Sequence, residues 1–213
     1  MKHKREIQTI AASRWWYLVF FGAALLLLAS FYFDATAQAW IARHQSAGMR
    51  NFMRGVSRFG DWPEHVALGL TLLALAYWRR SKKWMRIFAA MILACALAGA
   101  AARLIKISTG RARPSVQTEA EWNGARFSPR YNAFPSGHTA ASTAFFATLA
   151  LASWRVGLGF LFIPLLIAFS RMYVAAHYLS DVVCAALIGL VVAYFIGRWI
   201  PPAIRNPQSE IRN

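Results

Sequence analysis

Residues Trp15 to Phe33 carry no charged side chain. The run is close to the roughly 20 apolar residues that a helix needs to cross the hydrocarbon core of a bilayer. Within that core every backbone polar group must be satisfied inside the segment, so such a run is a helix or it is not in lipid. Five further apolar runs follow, at 62–78, about 87–105, 139–154, 156–169 and about 181–199. The expected fold class is therefore all-α: a polytopic membrane protein of six transmembrane helices, organised as one membrane domain over residues 1–213. Pro164 is expected to kink the fifth span, and residues 200–213 read as a polar, disordered tail.

Composition agrees, since 58% hydrophobic residues with only 15% charged ones does not suit a soluble globule. The formal charge of +16 invites comparison with nucleic-acid binders. However, the basic residues stand at the ends of apolar runs rather than along one polar face, where anionic headgroups would meet them. No nucleic-acid partner is expected. Cys95 and Cys184 each sit inside an apolar run and read as buried free thiols.

The competing reading of the first run is a cleavable signal peptide, because Ala35-Thr36-Ala37 has the small residues of a cleavage site. The run exceeds the usual signal core of roughly 7 to 15 residues, which favours an uncleaved span. Between the first two spans, Met49, Phe52, Met53, Val56 and Phe59 recur at helical spacing with Arg50, Arg54 and Arg58 between them. This pattern predicts an amphipathic helix, lying in the interface or packed on the outer surface. After the second span, Arg79, Arg80, Lys82, Lys83 and Arg86 follow without an acid, and so short a basic loop marks the cytoplasmic side. Both termini are then cytoplasmic. In the third span, Ala94, Ala98 and Gly99 are small enough to allow close helix contact.

Three polar blocks stand at the ends of these runs: Lys106 to Pro114, Pro135-Ser136-Gly137-His138, and Ser170 to Asp181. In a six-span chain all three fall on the outer side, so Lys106, Arg113, Ser136, Gly137, His138, Arg171, His177 and Asp181 are expected to converge. Ionised side chains in the hydrocarbon core are costly, so charges at span ends either snorkel to headgroups or find a partner. Arg103, Arg111, Arg155 and Arg198 read as snorkelling residues. His177 and Asp181 stand four apart, a spacing that on a helix places the carboxylate beside the imidazole. His3, His44 and His65 read as solvated or core histidines. Three cations and a set of helix-start amides around two imidazoles suit a phosphate ester. The cations neutralise the phosphoryl oxygens, one imidazole attacks phosphorus and the other protonates the leaving alkoxide. Clustered carboxylates of the kind that hold magnesium are missing from these blocks, so no metal and no cofactor is expected.

Lys106 with six residues before Arg113-Pro114, then Pro135-Ser136-Gly137-His138, then Ser170-Arg171 with five residues before His177 and three more before Asp181, resembles the three-part signature of the type 2 phosphatidic acid phosphatase family. The vanadium haloperoxidases share that superfamily. The resemblance covers roughly residues 60–200 and implies a six-helix core and a metal-independent phosphatase of membrane lipids. Carried over by position, it makes His177 the nucleophile, Asp181 its orienting carboxylate and His138 the acid and base. It makes Lys106, Arg113, Ser136, Gly137 and Arg171 the phosphate-binding set. It implies a lipid phosphate or diphosphate substrate in a bacterial inner membrane with the site facing the periplasm: phosphatidylglycerol phosphate, undecaprenyl diphosphate, phosphatidate or lipid A. Phosphotransfer to another acceptor is the alternative enzyme reading. A transporter is the non-enzyme reading.

Overall fold

The computed structural model describes the backbone of residues 2–116 and 118–200 and the side chains from residue 16 onward. Among the described residues the chain is helical, with one isolated antiparallel bridge, Arg111 to Trp122, and no strand. The nine α-helices are α1 (Lys2–Tyr32), α2 (Asp34–Arg43), α3 (Ala47–Phe59), α4 (Trp62–Trp78), α5 (Lys82–Thr109), α6 (Gly137–Ala152), α7 (Trp154–Gly157), α8 (Phe162–Tyr173) and α9 (Leu179–Arg198).

Three segments are long and apolar enough to cross a membrane: α5, the α7–α8 stretch Trp154–Tyr173, and α9. A fourth is the pair formed by α1 and α2, which meet at a bend of 53°. The expected second span coincides with α4, but α4 has 17 residues and α6 has 16, each short of a full crossing at about 1.5 Å per residue. For α6 the surroundings explain the shortfall. Twelve of its 16 residues are buried, so it meets protein rather than lipid. Its hydroxyls are tied back to its own carbonyls, Thr148 to Ala144 at 2.7 Å and Ser142 to Thr139 at 3.3 Å, which lets polar side chains sit in the centre of the bundle.

Small residues set the packing around that centre. Ala94, Ala98 and Ala102 of α5, Ala140 and Ala144 of α6 and Ala185 of α9 form one fully buried cluster. A Cβ on Gly189 would lie 2.8 Å from the Ala140 carbonyl, so α9 approaches α6 as closely as backbones allow. Gly99 does not join this seam. It faces a cavity instead. Toward the opposite end, Ile87, Met91, Phe145 and Leu149 form a bulkier core, and Ile200 packs into it. Residues 201–213 lie outside the described part. Apolar side chains of α1 such as Tyr17, Phe20, Phe21 and Leu28 point outward at 67% to 76% exposure, the surface a lipid-facing helix presents.

Four local outcomes differ from the sequence reading. The fifth span does not kink at Pro164. It breaks earlier, at Leu158–Leu161, and Pro164 falls in the first turn of α8, where its missing N–H has no intrahelical acceptor to serve. Arg155, which falls between the fourth and fifth apolar runs, lies in the short α7. The connection after the first span is not loop, because α2 carries the chain on from Asp34, and Ala35-Thr36-Ala37 is helical within it. Lys106 lies inside α5, which runs on to Thr109 and ends at Gly110 with φ +57. A Cβ there would fall 1.8 Å from the Gly124 carbonyl oxygen, so only glycine fits that turn. The stretch read as an amphipathic helix is helical as α3, with Met53 and Ser57 buried on the bundle and Met49, Phe52 and Phe59 exposed.

Candidate active site

The C-terminal ends of α5 and α8 and the N-terminal ends of α6 and α9 meet at one end of the bundle, around a cavity of about 630 Å³. Lys106, Arg113, Gly137, His138, Arg171 and His177 line it. Asp181 and Ser136 do not. They stand behind the wall, fully buried, with the Ser136 N–H donating to the Asp181 carbonyl at 3.1 Å. Ser136 is the N-cap of α6, its hydroxyl oxygen accepting from the Thr139 amide at 3.4 Å and the Thr139 hydroxyl at 3.0 Å. Gly137 begins that helix, so the wall carries the positive end of its dipole.

The spacing of His177 and Asp181 gives a contact, though not through a shared helix. His177 lies in the loop after α8, where its N–H donates to the Arg171 carbonyl at 3.2 Å and Ala175 adopts φ +54. Asp181 is in the first turn of α9, and its Oδ2 accepts from the Tyr178 N–H at 2.8 Å. The same oxygen lies 3.5 Å from His177 Nδ1, a buried nitrogen without a hydrogen-bond partner. Turned to the carboxylate by Nδ1, the ring presents Nε2 to the cavity. Burial lowers the His177 pKa well below the ordinary 6.5, reinforced by Lys106, Arg171, Arg113 and His138, so the ring is neutral near pH 7. A neutral imidazole with a free ring nitrogen is a nucleophile or a base.

The cations are held by few protein acceptors. Lys106 Nζ donates to the Asn132 carbonyl at 2.6 Å, and an Arg171 Nη1 donates to Ser57 on α3. The Nε atoms of Arg113 and Arg171 are buried without a partner. Burial pulls the Arg113 guanidinium down from its ordinary value while Asp181 opposes it. Buried donors left open around a cavity describe a site for an anion with several oxygens.

Two carboxylates escaped the sequence reading. Asp61, the N-cap of α4, lines the cavity with Oδ1 3.9 Å from His138 Nε2. A single Asp before a Trp-Pro helix start reads as an ordinary cap, so nothing in the sequence ties it to His138. Asp34 is the second, and it is reached through Arg111. That arginine, expected to snorkel, is 2% exposed. It donates from Nη1 to Asp181 Oδ1 and to Ser180 Oγ, both at 2.6 Å, from Nη2 to Asp34 Oδ2 at 2.7 Å, and from Nε to Glu121 at 2.6 Å. Burial alone would lower its pKa, but Asp181, Asp34 and Glu121 outweigh that and raise it. Arg103, also read as snorkelling, lines the cavity. His65 is a core histidine, edge-on to Phe145 and Phe146, while His44 is on the surface. The side chain of His3 lies outside the described part. Both thiols are free, Cys95 buried and Cys184 half-buried. Among the described residues no three His, Cys, Asp or Glu side chains are grouped as a metal site would require.

The profile of the PAP2 superfamily matches residues 84–205. A lipid A 1-phosphatase of Rhizobium etli is 27% identical over 83% of this chain and 81% of its own length. Proteins of the same name from Rhizobium johnstonii and Porphyromonas gingivalis are 36% and 31% identical over 43% and 65% of this chain. Those two matches span only 38% and 29% of the relatives' own lengths. Two crystal structures share the fold. The PAP2-type phosphatidylglycerolphosphate phosphatase of Bacillus subtilis has a TM-score of 0.63 at 18% identity, over 86% of this chain and 94% of its own. Aquifex aeolicus LpxE has 0.56 at 19%, over 78% and 94%.

Proposed function

The chain belongs to the PAP2 superfamily, and from that membership and the geometry of the cavity we propose that it hydrolyses a membrane lipid phosphate through a phosphohistidine, without a metal ion. The observation that carries the reading is one cavity lined by two imidazoles and four cations, with a buried carboxylate 3.5 Å behind one imidazole.

In the first step the Nε2 lone pair of His177 attacks phosphorus, and the bond from phosphorus to the lipid oxygen breaks. His138 gives its proton to that oxygen, so the lipid leaves as an alcohol. Asp181 stabilises His177 as it becomes cationic. Lys106, Arg113 and Arg171, with the amides at the start of α6, hold the non-bridging oxygens, whose charge they are placed to neutralise. In the second step His138, now neutral, takes a proton from water. The hydroxide attacks the phosphohistidine, releasing inorganic phosphate and restoring His177. Ser136 serves by fixing the start of α6 and the backbone beside Asp181.

In the membrane, α1, α4, α5, α6, the α7–α8 pair and α9 act as six spans, with α3 in the interface. Its exposed Phe52 and Phe59 meet lipid while Ser57 reaches Arg171. The basic segment 79–86, which joins α4 to α5 and runs into the first turns of α5, faces the cytoplasm, as do both termini, and the cavity faces the periplasmic side of the inner membrane. The relatives' names favour the 1-phosphate of lipid A as the substrate to test first.

The test is purified protein in detergent presented with lipid A bearing a 1-phosphate, phosphatidylglycerol phosphate, undecaprenyl diphosphate and phosphatidate. Free phosphate from at least one, with lipid A foremost, is expected. Failure to release phosphate from any of them by folded protein would refute the proposal, and phosphorylated acceptor without free phosphate would make it a transferase.

A further inference from the structure

The proposed reaction leaves Arg111 without a task, yet it has the densest set of polar contacts in the described structure. Three carboxylates, Asp34, Asp181 and Glu121, surround its guanidinium. Three rings enclose it, Tyr178 at 4.1 Å, Trp122 at 4.8 Å and Phe31 at 5.4 Å from its central carbon. Arginine is suited to this place because its flat fork can donate to two carboxylates at once while stacking on an aromatic face. The rings keep water out, so the ion pairs act at short range in a poorly screened setting.

The partners come from distant parts of the chain. Asp34, the first residue of α2, accepts from the Ser180 N–H at 2.8 Å through Oδ1 and from the Ser180 hydroxyl at 2.5 Å through Oδ2. It thereby satisfies a free amide at the start of α9 from another helix. One turn on, Gln38 donates to the His177 carbonyl at 2.9 Å, and Gln45, just beyond α2, to the Tyr173 carbonyl at 2.6 Å. The bend of 53° between α1 and α2 is what brings these side chains across the loop that carries His177.

Asp181 therefore has two oxygens with two duties. Oδ1 is held by Arg111, and Oδ2 is left to the Tyr178 amide and His177. Resting on the hydrolase reading above, we infer that Arg111 and Asp34 are positioning residues for catalysis: a strut from the α1–α2 bend through Arg111 fixes the Asp181 carboxylate and so the rotation of the His177 ring. Neither touches the cavity, and neither binds substrate. With the guanidinium removed, Asp34 and Asp181 face each other as buried carboxylates lacking their shared cation. The Asp181 carboxylate is then free to turn from His177.

The experiment compares wild-type protein with Asp34→Asn, Arg111→Lys and their double variant on the best lipid phosphate, with inorganic phosphate as a competing ligand of the cavity. Each single variant is expected to lower kcat by about tenfold to a hundredfold, the range of a lost hydrogen bond to a charged group. KM and the inhibition constant of inorganic phosphate should stay within about threefold, since the anion-holding donors are untouched. The double variant should be no slower than the slower single one, because both break the same strut. Asp34→Asn is close to isosteric and keeps the test alive should Arg111→Lys fail to fold.

A purely structural role would lower the melting temperature and leave kcat of the folded fraction alone. A folded Asp34→Asn protein with kcat within twofold of wild type would overturn the inference, as would losses that multiply in the double variant. Inactivity of the wild-type protein on every lipid would instead sink the hydrolase reading. The strut would then be judged by melting temperature, where additive losses from the two substitutions would refute it.

Discussion

Replacing Asp181 by asparagine keeps the size of the side chain and removes its charge. The carboxylate is 0% exposed, its Oδ2 is 3.5 Å from His177 Nδ1, and its Oδ1 is 2.6 Å from Arg111 Nη1. In the proposed reaction His177 takes up phosphorus and its ring becomes cationic, and at that separation two unit charges attract by about 5 kcal/mol at an effective dielectric of about 20. Part of that is offset because Arg111 already draws on the same carboxylate. The lower bound is a hydrogen bond to a charged group, about 1.5–3 kcal/mol. At about 1.4 kcal/mol per decade these limits bracket a fall in kcat of roughly tenfold to a few thousandfold. Asparagine must also set an N–H against either the Tyr178 amide or Arg111, so a loss of stability of about 1–3 kcal/mol should accompany it. The assay is phosphate release at saturating lipid, on protein shown by gel filtration and melting to be folded. KM should change little, because the cations proposed to hold phosphate are intact. A folded Asp181→Asn protein turning over within threefold of wild type would refute the assignment of Asp181 as the partner of His177.

Burial places the His177 pKa below 6.5, and in the proposed reaction the neutral ring is the reactive form. Activity that depends on it is therefore complete above the lowered value and lost only as pH falls through it. The His177 limb of kcat/KM should accordingly lie on the acid side of pH 6.5, and a limb above 6.5 that vanishes with His177 would contradict this. Gly110→Ala forces a left-handed residue and a clash with the Gly124 carbonyl, costing at least about 1–2 kcal/mol, so a melting scan should show a loss of several degrees. Saturating EDTA should leave phosphate release unchanged and vanadate should inhibit it. Loss of activity in chelator, restored by magnesium, would contradict the metal-free scheme.

The helices and the end of the bundle that holds the polar blocks were legible because both rest on local signals: apolar runs for the helices, and charge placed at or near their ends. Thus α4 falls on the run at 62–78, and Lys106, Arg113, His138, Arg171 and His177 share a cavity. Arg111 was not legible. An arginine near a span end looks the same whether it snorkels or is enclosed, and its partners lie 70 and 77 positions away. Asp34 was hidden for a related reason. It follows an apolar run and looks like the first polar residue of a loop, whereas α2 begins there. For His177 and Asp181 the spacing of four found a contact of 3.5 Å by the wrong route, since a helix start and the preceding loop can bring the two side chains together as a helix face would. Pro164 misled because proline inside an apolar run signals a kink only when a turn of helix precedes it, and here the break lies upstream.

In the proposed reaction His177 carries the phosphoryl group between lipid and water. That role is tested most directly by mixing enzyme with a lipid substrate labelled in its phosphate, quenching with alkali within a turnover and mapping the label by mass spectrometry. Expected is an alkali-stable, acid-labile phosphate on His177 that forms in wild-type protein, forms more slowly in His138→Ala, where the leaving alkoxide is not protonated, and is missing from His177→Ala. Label on another residue, or wild-type turnover with no phosphoenzyme formed in either protein, would contradict that role.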